Sequence, residues 1–73
     1  MNSEYMSEPS VEQLAGLVQR RLHGQVRDLR LLLRDQGLIV QGQTSTYYAK
    51  QLAQQAVMEI TGLAILANEI EVR

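Results

Sequence analysis

The sequence contains no cysteine, one proline and one histidine, and its aromatic residues are three tyrosines. Without cysteine there is no disulfide framework, no thiolate nucleophile and no cysteine-based metal site, although cysteine-free chains occur in oxidising and reducing compartments alike. Neither charge is in excess. Seven Lys and Arg against eight Asp and Glu leave a formal net charge of −1, whereas a general nucleic-acid binder would be strongly basic. The longest apolar runs, 31–33 and 63–67, fall far short of the ~20 residues that cross a bilayer. The first ten residues lack the charged and apolar regions of an export signal, so the chain is expected either to act where it is made or to be a piece trimmed from a longer precursor.

What is present is one small domain's worth of sequence. Seventy-three residues are about half the ~150 that serve as the prior for a domain. A chain this short buries only ~60% of its unfolded surface. Its 45% apolar residues must therefore build the core without disulfides or structural zinc.

Residues 1–9 show no hydrophobic period and read as a flexible leader, with a folded domain over 10–73. Ser10 followed by Gln13 matches a capping box. Val11, Leu14, Ala15, Val18 and Leu22 then recur at intervals of three and four, which predicts a helix ended by Gly24 in the left-handed conformation. From Val26 the period drops to about two, with Leu29, Leu31 and Leu33 alternating against Asp28, Arg30 and Arg34. Asp35-Gln36-Gly37 supplies a turn, and 38–42 resumes the alternation, so the two runs predict a hairpin with Leu38 and Val40 facing the core.

Thr44 or Ser45 is expected to cap a second helix, whose stripe is Ala49, Leu52, Ala53, Ala56, Val57 and Ile60 and whose end is Gly62. The segment 63–72, with Leu66, Asn68, Ile70 and Val72 on one side, reads as a third strand. The order αββαβ, with its terminal βαβ unit, predicts an α+β two-layer sandwich: two helices packed on one face of a three-stranded mixed sheet. The other face is expected to carry Arg30, Leu32, Arg34, Ile39, Gln41, Ile65, Ala67, Glu69 and Glu71. That mixture is too apolar for an ordinary solvated surface and too charged for a core.

The run Val26-Arg27-Asp28, the stretch 35–42 between Asp35 and Gly42, Lys50 with the alanine-rich helix, Ile60-Thr61-Gly62-Leu63, and the closing Asn68-Glu69-Ile70-Glu71-Val72 stand in a distinctive order. In that order and spacing, over residues 11–72, the chain resembles the BON domain, named for bacterial osmotically inducible and nodulation proteins. The resemblance implies an αββαβ fold and a non-enzymatic module of bacterial envelope proteins, often in tandem, that binds phospholipid surfaces or supports envelope proteins. It therefore implies a periplasmic or envelope setting.

His23 stands at a helix end, where a cation favours the carbonyl terminus, and it lacks the partners of a nucleophilic triad. Asp28 and Asp35 are explained by the polar side of a strand and by turn chemistry, so no catalytic residue is assigned. No acidic loop has regular metal-ligand spacing, and no cofactor is expected. Arg20, Arg21, Arg27, Arg30 and Arg34 face one acid, Asp28, in the same stretch, a local charge of about +4.

Guanidinium groups bind phosphate bidentately, and each basic side chain near an anionic membrane contributes ~1 kcal/mol. The bland alternative is a solvated face paired with Glu59, Glu69 and Glu71. Adjacent Tyr47 and Tyr48 point about 100° apart on a helix, so they cannot both be core, and one should be exposed and suited to a lipid or protein contact. Asn68, among apolar neighbours, is expected to brace the structure through its amide. The predicted partners are thus an anionic phospholipid surface or an envelope protein. The alternative is a protein-interaction or self-association module using the sheet edges and open face.

Overall fold

The computed structural model describes residues 10–73; the leader expected over 1–9 lies outside the described residues. The elements follow in the order α1 (Val11–Leu22), β1 (Val26–Arg34), β2 (Gly37–Thr44), α2 (Tyr47–Thr61) and β3 (Ile65–Val72). The sheet is mixed, with β2 in the centre, antiparallel to β1 and parallel to β3. This is the expected α+β arrangement, αββαβ.

Helix α1 begins with the full capping box. The Gln13 amide donates to Ser10 Oγ at 3.1 Å, and the Ser10 amide donates to Gln13 Oε1 at 2.9 Å. Its end differs from expectation. His23, not Gly24, is the cap, held left-handed at φ 54°, and Gly24 follows with φ 78°. Helix α2 is capped by Thr46, whose Oγ1 accepts from the Ala49 amide at 3.0 Å, rather than by Thr44 or Ser45. Thr44 is otherwise engaged: β2 runs on through it, and its buried hydroxyl donates to the Gln25 carbonyl at 2.7 Å. Gly62 closes α2 as predicted.

The core lies between the helices and the near face of the sheet. Val18 and Leu22 of α1 and Ala49, Ala53, Ala56 and Val57 of α2 meet Val26, Leu29, Leu31, Leu38, Val40 and Ile70 from the strands. The small side chains of α2 let its backbone lie close to its neighbours. Three of the expected positions change. Ile65 packs against the core instead of the open face, because β3 carries an extra residue between its pairings Leu38–Ile65 and Ile39–Ala67. Leu66, that extra residue, is half exposed and lies over Gly37, where an added Cβ would run into the Ala64 carbonyl oxygen. Leu33 keeps its register opposite Leu38 but is 55% exposed at the hairpin end.

Candidate functional site

Strand β1 also contains an extra residue. Arg27 pairs with Gln43 and Arg30 with Gln41, so three steps on β1 match two on β2. Asp28 absorbs the irregularity with φ 54°, a conformation that aspartate tolerates better than most residues. Opposite it stands Gly42, where a Cβ would come within 2.9 Å of Val26 Cγ1 and 3.1 Å of the Arg27 carbonyl oxygen. The consequence is chemical. Two residues three apart on a regular strand face opposite sides, whereas the bulge turns both Arg27 and Arg30 away from the helices.

The face turned away from the helices is then ordered in rows across the strands. Arg27, Gln43 and Glu71 form one row, Arg30, Gln41 and Glu69 the next, and Leu32, Ile39 and Ala67 the third. Arg34 pairs with Gly37 beyond them. Read along the strands, the same face is a basic column on β1, a glutamine column on β2 and an acidic column on β3. With strands ~4.8 Å apart, the basic and acidic columns stand ~10 Å from each other. Gln41 Nε2 donates to Glu69 Oε1 at 3.0 Å, so the central column orients the acidic one. Asp28, Arg30, Gln41, Gln43, Glu69 and Glu71 share one shallow groove.

The sequence-selected residues divide between two layers. Arg27, Arg30 and Arg34 lie on the open face, with Arg34 Nη1 donating to its neighbour's Leu33 carbonyl at 3.0 Å. Arg20 and Arg21 occupy the last turn of α1. Tyr47 and Tyr48 open α2, and both are exposed, at 74% and 70%. Of the expected acidic partners, Glu59 pairs with Arg21 at 2.7 Å, Glu71 pairs with Arg73 at 2.6 Å, and Glu69 takes the Gln41 amide. Among the described residues, Arg20, Arg27, Arg30 and Arg34 take part in no ion pair.

Asn68 braces the structure as expected. Its Nδ2 donates to the Lys50 carbonyl at 3.1 Å and to Gln54 Oε1 at 3.2 Å, while its Oδ1 accepts from the Ile70 amide at 3.2 Å. Glu69 and Glu71 lie on the open face with the arginines as expected from sequence, but the row-by-row register that sets them opposite Arg30 and Arg27 was not read from it. Among the described residues no group of three His, Asp or Glu is placed to hold a metal ion, and no helix is long and apolar enough to cross a membrane. Comparison with family models, with curated proteins and with solved structures found no match.

Proposed function

We propose that the chain is a non-enzymatic, BON-like binding module that associates with anionic phospholipid surfaces of a bacterial envelope through the basic column of its open sheet face. The observation that carries this reading is the placement of Arg27, Arg30 and Arg34 on one face of an edge strand, free of ion pairs among the described residues. Apart from the Arg34 N–H given to the Leu33 carbonyl, such guanidinium groups can offer their donors to phosphate oxygens. The αββαβ order and the BON-like spacing support the same reading.

Its test is co-sedimentation of the whole chain with vesicles rich in phosphatidylglycerol, compared with neutral vesicles. Binding to the anionic vesicles is expected to fade with salt. Replacing Arg30 and Arg34 together by glutamate is expected to weaken it at least about tenfold, with an unchanged circular-dichroism spectrum. Equal binding by the variant removes these arginines from the reading. A second reading, contact with protein, is favoured by Glu69 and Glu71, which oppose a uniformly anionic surface across the same sheet.

A further inference from the structure

The open face is self-complementary under one particular symmetry. Take two copies packed with their open faces together and a two-fold axis running along β2. The axis exchanges the outer columns, so Arg30 faces the partner copy's Glu69, Gln41 meets its own counterpart, and the row of Leu32, Ile39 and Ala67 meets the same apolar row. A two-fold axis across the strands would instead stack arginine on arginine and glutamate on glutamate, which is repulsive. Charge complementarity therefore selects both the occupant of the face and its orientation.

We propose that the open face binds a second copy of this chain, in a dimer whose two-fold axis follows β2 and whose central contacts are Arg30 with the partner copy's Glu69, twice over. The inference stands apart from the headgroup reading, with which it shares Arg30, so a dimerised face and a lipid-bound face exclude each other.

Not every charged group on the face contributes equally. Glu71 is already held by Arg73, Arg34 turns to the Leu33 carbonyl, and Asp28 lines the groove beside Arg30. Among the described residues Glu69, by contrast, is held only by the neutral Gln41 amide, which presets the carboxylate without neutralising it. Three strands ~4.8 Å apart and eight residues at ~3.3 Å each give a patch of roughly 14 by 26 Å. A face-to-face pair of this size covers roughly 700 Å² over the two copies, below the ~1,200 Å² lower end of stable interfaces, so the dimer is weak, concentration-dependent and salt-sensitive.

Sedimentation equilibrium of the whole chain at about 20 mM and about 500 mM salt tests this. The unaltered chain is expected to dimerise at low salt and to weaken about tenfold at high salt. Arg30→Glu and Glu69→Arg are each expected to weaken self-association at least about tenfold, while the double swap restores it to within about threefold of the unaltered chain. An equimolar mixture of the two single variants is expected to form the heterodimer, and circular dichroism confirms that each variant is folded. A chain that stays monomeric at millimolar concentration and low salt overturns the proposal, as does a dimer indifferent to both single variants. Glu69→Arg also separates the two readings, because it dissolves the dimer yet is expected to strengthen binding to anionic vesicles.

Discussion

The two faces of β2 divide the labour of this molecule. Leu38, Val40 and Thr44 point into the helices and are almost fully enclosed, whereas Ile39, Gln41 and Gln43, one residue out of step, are only partly buried on the far side. The inner face is selected by apolar burial, and the outer face by the order of its charges. Substitutions should therefore act on different observables according to parity alone. The largest effect is expected for Leu38→Ala, which deletes a side chain with no exposed surface. It should cost about 3 kcal/mol, read as a lowered urea midpoint, a large fraction of the stability of so small a domain. Ile39→Ala should cost under about 1 kcal/mol and instead weaken self-association. Equal losses of stability at both positions would erase the distinction between the faces.

Asn68 sharpens the comparison, since it is a polar residue on the inner side that takes part in no charge pattern. Its amide ties β3 to the Lys50 carbonyl and the Gln54 side chain of α2, and its oxygen takes the Ile70 amide. Asn68→Ala should lose about 1–2 kcal/mol. Asn68→Asp should lose more at neutral pH, because a carboxylate cannot donate to the two oxygens that now receive Nδ2. Denaturation of the two variants side by side checks the order, and an Asp variant as stable as the Asn chain would show that the bridge between α2 and β3 contributes nothing.

That brace was legible in the sequence, because a lone amide among Leu66, Ile70 and Val72 must find partners. The helix stripes and the alternation of Leu29, Leu31, Leu38 and Val40 were legible for the same reason: burial imposes periods of 3.6 and two. The bulges were harder. Val26 and Leu29, both buried, stand three apart in one strand, and that break in the period was the signal for the extra residue at Asp28. No comparable signal marked Ile65, since the apolar run 63–67 fits either face. The start of α2 was expected at Thr44 or Ser45 and falls instead at Thr46, because β2 continues to pair through Thr44.

The arginines could be selected by composition. Their rows with Gln41, Gln43, Glu69 and Glu71 could not, because the register of a parallel strand depends on the length and seating of the helix between the strands. Tyr47 and Tyr48 show the converse: their adjacency required one exposed ring, but only the seating of α2 determined that both are exposed.

The smallest effect is expected at the connection between α1 and β1, where the two elements reverse direction through successive left-handed residues. His23 takes φ 54° with a full side chain, and Gly24 takes φ 78° without one. A residue bearing Cβ loses roughly 1–2 kcal/mol in this conformation, part of which glycine gives back through the greater freedom of its unfolded chain. His23→Gly should therefore stabilise the domain by about 0.5–1 kcal/mol, because the cap depends on the backbone amide that donates to the Arg20 carbonyl and not on the imidazole. Gly24→Ala should change stability by a similar amount in the opposite direction. No atom lies within 4 Å of the position its Cβ would take, so backbone strain alone acts there. Opposite shifts in urea midpoint at constant slope would show that the turn is limited by its φ angles; a destabilised His23→Gly chain would mean that the imidazole itself holds the helix end.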